Sequence, residues 1–320
     1  MIALPTFLTP IQLPMPATLG AVNVYLVRGP GGAALVDTGM DDASSRAALV
    51  AALEERGLAL GDLETIVCTH YHPDHCGLGA TLADAGAVVM MSALDSAALA
   101  AFFDDPASDA HRSTFFGRHR VPAEFEERVS SLFPFFRSLQ EPFRPTRTIA
   151  DGETVRLGGI PFEIIHTPGH TRGHVCLLEP ESGVLLTGDH VTPGEATHVS
   201  MREQVIGSDP LGAFLDSLER VRALGPRVGL SGHGEPMPDV AARADEILRH
   251  HAARLGRVAA ALEHAPIEAY DLCLKVFGDH RKSFARWLAM SQTLAYLEHL
   301  VHEGRAIEVA IGSGIAYATP

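Results

Sequence analysis

The sequence predicts an α/β fold, and three observations lead there. Short apolar or β-branched runs alternate with stretches of helical periodicity from Val22 to Leu230. Polar side chains of metal-binding type recur where those runs end, as expected when strands deliver chemistry into loops. Hydrophobic residues make up 46% of the 320 positions, enough for a substantial buried core.

In order, Val22 to Arg28 and Gly32 to Val36 read as strands joined by a Gly-Pro-Gly-Gly turn, the pattern of a hairpin. Asp37-Thr38-Gly39 follows, with Asp37 placed to brace a loop. Asp41 or Asp42 caps a helix that reaches Arg56 and stops at Gly57. Thr65 to Cys68 is the next strand. It runs into Thr69-His70-Tyr71-His72-Pro73-Asp74-His75-Cys76-Gly77, which packs three imidazoles and a carboxylate into six positions. Histidine is the commonest metal ligand, and an added carboxylate suits a divalent cation. In a chain with 17 histidines the bland reading is a polar surface loop, and the partners found further along weigh against it.

Ala87 to Met91 forms a short strand and Ser92 to Phe103 a helix. From Asp104 to Thr146 the alternation lapses, and seven of the 14 phenylalanines fall in this segment. A helical insertion packing its rings internally is one expectation, and a lid whose apolar face shapes a substrate pocket is the other. Alternation resumes with Pro161 to Ile165, His174 to Leu178 and Gly183 to Thr187. Between the first two lies His166-Thr167-Pro168-Gly169-His170-Thr171-Arg172-Gly173-His174, and the third ends in Gly188-Asp189-His190. Ser208 or Asp209 caps a helix with Pro210 in its first turn and with Leu211, Phe214, Leu215, Leu218 and Val221 at helical spacing. Arg227 to Leu230 then leads into Ser231-Gly232-His233-Gly234.

Beyond Val240 the character changes, which sets a division into residues 1–240 and 241–320. Ala241 to Leu262, Ile267 to Val276 and Phe284 to Glu303 read as helices, followed by a hairpin of Ile307 to Val309 and Ile315 to Ala318 around Gly-Ser-Gly. Three helices and a hairpin make a winged-helix-like pattern. Nine Lys or Arg balance nine Asp or Glu there, so the net positive charge of a DNA reader is missing. Structural packing, a homodimer contact or a pocket wall is expected instead.

The whole chain carries a formal charge of −14, which favours small metabolites over nucleic acid. Its four cysteines are spread apart without a CxxC pair, which fits reduced thiols in a cytoplasmic protein. Met1 to Ala17 lacks the basic start of a signal peptide, and no run of ~18 apolar residues suggests a membrane span.

His170, Asp189 and His233 complete, with the first motif, seven candidate ligands from separate strand-end loops. In order and spacing HxHxDH, TPGH, GD and GH, the chain resembles the metallo-β-lactamase superfamily, over residues 20 to about 235. As a whole it resembles the β-lactamase-like protein 2 branch, near glyoxalase II. The resemblance implies a four-layer αββα sandwich with a metal site along one edge of the two sheets. It further implies His70, His72 and His170 around one cation, Asp74, His75 and His233 around a second, and Asp189 bridging. Zinc is expected, with iron or manganese as alternatives. Two such cations share a hydroxide that attacks a carbonyl or phosphoryl group, with Asp74 orienting the nucleophile or relaying a proton. Around the ligands, His174 and Asp37 are expected to support, His190 to support or to touch substrate, and Tyr71 to pack nearby or stabilise an oxyanion.

The superfamily covers several reactions, so the fold alone does not choose among them. A neutral tail, an acidic body and a Phe-rich insertion favour a small-molecule acyl substrate with an apolar portion. A thioester of coenzyme A or of a carrier protein comes first, and a lactone or other ester next. The alternative is an RNA-cleaving phosphodiesterase guided by the tail, with Arg281, Lys282 and Arg286 as its local support.

Overall fold

Period-two burial in the strands decides the layering. In β2 (Ala21–Gly29), Val22, Val24 and Leu26 enter one core while Tyr25 and Val27 enter another. Residues on both faces are buried, which is why these strands are apolar almost throughout. The computed structural model describes residues 2–16, 20–104, 108–194, 197–200, 208–262, 265–279 and 283–320, and the side chains of residues 104, 108–112 and 283 fall outside that description.

One sheet holds six strands in sequence order: β1 (Leu8–Pro14), β2, β3 (Gly32–Val36), β4 (Leu63–Val67), β5 (Val88–Ser92) and β6 (Arg147–Ile149). The other holds β7 (Thr154–Leu157), β8 (Ile160–His166), β9 (Val175–Glu179), β10 (Val184–Gly188) and β11 (Val228–Ser231) in reverse order. The sheets face each other across a core in which Val27, Val36 and Val67 meet Phe162, Leu177 and Leu186. Outside the first sheet, α1 (Ala43–Glu54), the short α2 (Pro73–Cys76), α3 (Gly79–Asp84) and α4 (Ala93–Asp104) contribute Leu49, Cys76, Leu82 and Leu99 to a second core. Outside the second sheet, Ile165, Cys176 and Leu185 are covered by helices from the second half of the chain. This is the four-layer αββα sandwich.

Local sequence accounts for the helix ends. Asp42, not Asp41, caps α1 by accepting from the Ser44 and Ser45 amides. In α8 (Pro210–Leu224), Asp209 rather than Ser208 accepts from the Gly212 amide, and Gly225 at φ 59° ends the helix in the left-handed region. Removing such a cap costs about 1 kcal/mol.

Strands β1, β6 and β7 are additions to the sequence reading. Pro10 and Pro14 argue against a strand, yet β1 lies at the sheet edge, where a missing amide donor is tolerated. The three residues of β6 are too few for a pattern, and β7 alternates exposed and buried positions over only four.

The Phe-rich segment forms α5 (Ser108–Arg118), α6 (Ala123–Ser130) and α7 (Phe133–Arg137). Its rings divide between tasks. Phe115, Phe116 and Phe125 are buried in the same core as α8, α9 (Val240–Ala261), α10 (Ala269–Phe277) and α11 (Ser283–His302). Phe143 packs under Gly79, while Phe133 and Phe136 face a cavity described below. The final hairpin, β12 (Ile307–Ile311) and β13 (Gly314–Ala318), touches α5 through Arg118–Glu308 and the turn after it through the Tyr317 hydroxyl at 3.0 Å from His119 Nδ1. Arg120 pairs with Glu268 at the start of α10. Insertion and tail therefore share contacts with each other as well as with the sheet beneath. No helix among the described residues is long and apolar enough to cross a membrane.

Candidate metal centre

Loops leaving the strand ends bring all seven expected ligands to one edge of the sandwich. His70, His72 and His170 place ring nitrogens within 4.8 Å of one another, as do the donor atoms of Asp74, His75 and His233. A third group, His70, His75 and Asp189, lies between them on the same criterion. His72 Nδ1 is 3.0 Å from both His70 Nε2 and His170 Nε2. Neighbouring ligands of a tetrahedral ion with bonds of ~2.0–2.1 Å stand ~3.3 Å apart, so the spacing suits a small cation.

The far nitrogen of each ring shows which way its lone pair points. His170 Nδ1 donates to the His198 carbonyl at 2.9 Å, and His233 Nδ1 donates to the Ala21 carbonyl at 2.9 Å. His75 Nδ1 donates to Asp37 Oδ2 at 2.8 Å. The Thr69 hydroxyl donates to Asp37 and so accepts from His70 Nδ1 at 3.1 Å. Each of these four rings therefore aims an unprotonated Nε2 at the centre when neutral. Fixing the tautomer from behind is what ligating histidines require. Buried His75 Nε2 and Asp189 Oδ1 stand 3.4 Å apart without a hydrogen bond to each other or to any other group among the described residues, as two donors aimed at one cation would.

Electrostatics agree. Burial alone would raise the Asp74 and Asp189 carboxyls, but the surrounding imidazoles hold both well below the usual range. Burial also opposes charge on His75 and His233. The Asp189 and Asp74 carboxylates overcome it, raising His75 and pushing His233 up to about 9. In the protein alone, protonated imidazoles thus balance the carboxylates, a role for which no Lys or Arg is placed within ion-pair distance of Asp74 or Asp189 among the described residues. His70, by contrast, is fully buried and lowered by that burial and by its imidazole neighbours, so it stays neutral. The donor set fits divalent metal.

Backbone geometry delivers these groups. Asp37 sits at φ 62°, a costly conformation for a residue with a side chain, and reaches the Thr69 amide at 2.7 Å. Gly188 at φ 48° precedes Asp189, and a Cβ there would come within 2.7 Å of His174 Nε2. That nitrogen accepts from the Asp189 amide at 3.1 Å, while His174 Nδ1 lies 2.8 Å from the Thr167 hydroxyl. His174 and Asp37 thus support ligands. Tyr71 packs against His72 with ring centroids 4.9 Å apart. His190 is fully buried, 5.0 Å from the Phe214 ring, and is not among the residues that line the cavity.

Two contributors escaped the sequence. Buried Asp95 accepts from the Tyr71 amide at 3.2 Å, the Gly173 amide at 2.6 Å and the Thr171 hydroxyl at 2.6 Å. It ties the His70–His72 loop to the His170 loop. His198 supplies the carbonyl behind His170 and lines the cavity. A Ser-x-x-Asp start to α4 looks like ordinary capping, and a backbone carbonyl has no residue signature.

Over the ligands opens a cavity of about 530 Å³ with His72, Asp74, His170, Asp189 and His233 on its floor. Its walls are aromatic. Phe133 and Phe136 of α7 face Phe284 and Trp287 of α11, with Phe136–Phe284 and Phe284–Trp287 centroids both 5.6 Å apart. Arg286, one support for a polynucleotide reading, is paired with Asp279, and Arg281 and Lys282 lie outside the described residues.

An αββα sandwich carrying seven His and Asp donors at its edge defines a metal-dependent hydrolase. The chain belongs to the metallo-beta-lactamase superfamily, whose family model matches residues 17–233. It is 26% identical over 329 residues to "Probable metallo-hydrolase YqjP" of Bacillus subtilis (strain 168), with 97% of each chain covered. It is 25% identical to the beta-lactamase-like protein 2 homolog of Caenorhabditis elegans, covering 91% of this chain and 82% of that one. Over 127 residues, 40% of this chain and 28% of the relative, it is 29% identical to the atrochrysone carboxyl ACP thioesterase of Aspergillus fumigatus. Among solved structures, a metallo-beta-lactamase family protein of Thermus thermophilus matches with TM-score 0.87 and 34% identity, covering 99% of this chain and 100% of that one.

Proposed function

We propose that the protein hydrolyses acyl esters of small molecules, thioesters first and other esters or lactones next, and that His70, His72 and His170, with Asp74, His75, His233 and Asp189, would hold two divalent metal ions. The observation that carries this reading is a cavity whose floor is the donor set and whose walls are aromatic. Bound there, two divalent cations, zinc by ligand type, supply a nucleophile at neutral pH and polarise the acyl carbonyl.

The chain's own groups do the rest. Asp74 and Asp189 stay ionised and accept hydrogen bonds or cations. Asp74 Oδ2 lies 3.2 Å from His233 Nε2, so the two donors converge on one point beneath the cavity. The aromatic walls hold the apolar acyl portion and exclude water from the carbonyl. As the water oxygen bonds to carbon, the C–S bond breaks and its electron pair leaves on sulfur, which needs no strong acid. The products are a carboxylate and a thiol. A relative named as an acyl-carrier-protein thioesterase supports the choice of thioester over phosphodiester, and so does the paired state of Arg286.

The test is a panel of acyl-CoA and acyl-N-acetylcysteamine thioesters with thiol release as the readout. Zinc-loaded protein is expected to release thiol and to stop after chelation. Lactone or ester turnover without thiol release would shift the reaction within the acyl class, and cleavage of RNA alone would overturn the reading.

A further inference from the structure

A second hollow lies beside the aromatic chamber, on the other side of the His170 loop's residues, and nothing in the proposed reaction uses it. It measures about 240 Å³ and shares Tyr71, His170 and Ser200 with the main cavity. One wall is a single face of α4. Leu94, Ala97, Ala98 and Ala101 fall at the spacing that stacks side chains along a helix, and the three alanines leave room for an apolar channel. Leu94 is 44% exposed although it belongs to an apolar stripe, so this face is uncovered rather than buried against a neighbour.

The opposite wall carries Arg172, two residues beyond His170. Its side chain is exposed and has no carboxylate partner among the described residues. That is notable in a chain of net charge −14, where nearby Arg220 is paired with Asp151. An apolar channel bordered by a free guanidinium is complementary to a flexible arm that ends in an anion. Because it adjoins the main cavity at Tyr71, His170 and Ser200, an acyl group seated among the aromatic rings would have its leaving group on the side of this hollow.

We propose that this channel is the leaving-group subsite, and that it takes a thiol arm bearing a terminal phosphate or carboxylate, with Arg172 as the residue that reads the anion. The inference rests on the acyl-hydrolase reading for the word "leaving group", but its binding chemistry stands apart from turnover.

Calorimetric titration of the full-length, zinc-loaded protein with three thiols separates the possibilities: 4′-phosphopantetheine, uncharged pantetheine, and glutathione as a carboxylate-bearing thiol. At least one charged thiol is expected to bind ~10-fold more tightly than pantetheine, a typical worth for one charge-assisted contact. Which of the two wins identifies phosphate or carboxylate. Arg172→Gln should abolish the preference, and Leu94→Trp, which fills the channel from an exposed position, should weaken binding of the preferred thiol. Equal binding of all three, no binding of any, or a preference that survives Arg172→Gln would overturn the subsite. Metal competition among thiols is controlled by repeating the titrations with the corresponding S-methyl thioethers. If thioesters are not cleaved while the Arg172-dependent preference persists, the subsite stands and the acyl-hydrolase reading falls.

Discussion

The floor and the walls of the main cavity are built on different principles. At and beneath the floor, His70, His75, His170 and His233 are each held from behind by a hydrogen bond, to Thr69, Asp37, the His198 carbonyl and the Ala21 carbonyl. These directional contacts fix ring orientation to fractions of an ångström, as metal binding demands. In the walls, Phe133, Phe136, Phe284 and Trp287 meet ring to ring, at centroid distances of 5.6 to 6.5 Å. Such contacts are weakly directional and tolerate substitution by other apolar groups. The contrast implies that chemistry is locked at the floor while specificity is free to change in the walls.

The sharpest way to break this contrast is through Asp95, which touches neither metal nor cavity. Asp95→Asn replaces an acceptor of three hydrogen bonds by a group that must point a donor at one of them. Metal affinity and hydrolysis are expected to fall ~10–100-fold, the usual effect of losing such a supporting contact. Chelator competition measures the first, and excess metal should restore part of the second. If instead only KM rises and metal affinity is unchanged, the floor is not organised from behind and the contrast fails.

Legibility in the sequence follows the same division. The seven candidate ligands could be read because coordination restricts residue type and because they cluster at strand ends, five of them beside Gly or Pro. The strand-helix alternation was readable from short apolar runs and the later helices from their apolar periodicity, while the αββα layering came from the resemblance to the superfamily. Supports such as Asp95 stayed hidden, since a carboxylate accepting from a backbone amide more than seventy positions away has no local pattern. Strand β1 was masked by its prolines, whose cost vanishes only at an edge that the sequence does not mark. The Phe-rich segment could be named but not apportioned. Phenylalanine in a core and phenylalanine in a cavity wall are the same residue, and only tertiary packing sent Phe116 to one and Phe136 to the other.

A middle-sized effect should come from the wall itself. Trp287 is the chain's single tryptophan, and it lines the cavity, so ligand entry can be followed by its fluorescence. Trp287→Ala removes apolar area from the acyl site without touching a ligand. KM for a long-chain acyl thioester is expected to rise ~10-fold, more than kcat changes and with metal content unaltered, because uniform binding is what is lost. Restoration by Trp287→Phe would show that apolar contact is what matters. Equal loss of kcat and metal would place the walls under the same control as the floor.

The smallest effect concerns how α11, which carries half of the wall, is anchored to the sandwich. His299 Nδ1 lies 2.8 Å from Asp209 Oδ2, and Asp209 also caps α8 through the Gly212 amide. The hydrogen bond to Asp209 raises the His299 imidazole above its usual value, against the opposing effect of burial. Burial would raise Asp209, yet His299 and the Gly212 amide bring it below the usual carboxylate range. A raised imidazole stabilises the fold fully below its unfolded pKa of about 6.5 and loses that contribution as pH climbs through the folded value. A lowered carboxylate contributes above about 3.9 and loses its share as pH falls through the folded value. The stability gap between wild type and His299→Gln should therefore be widest between about pH 4 and pH 6.5 and shrink toward alkaline pH. Because the pair is partly exposed, the gap should stay near ~1 kcal/mol or less. Urea unfolding of the metal-free protein at several pH values measures it. A gap independent of pH would mean that His299 acts by packing alone, and a change in zinc affinity at any pH would mean that the anchoring of the wall reaches the floor.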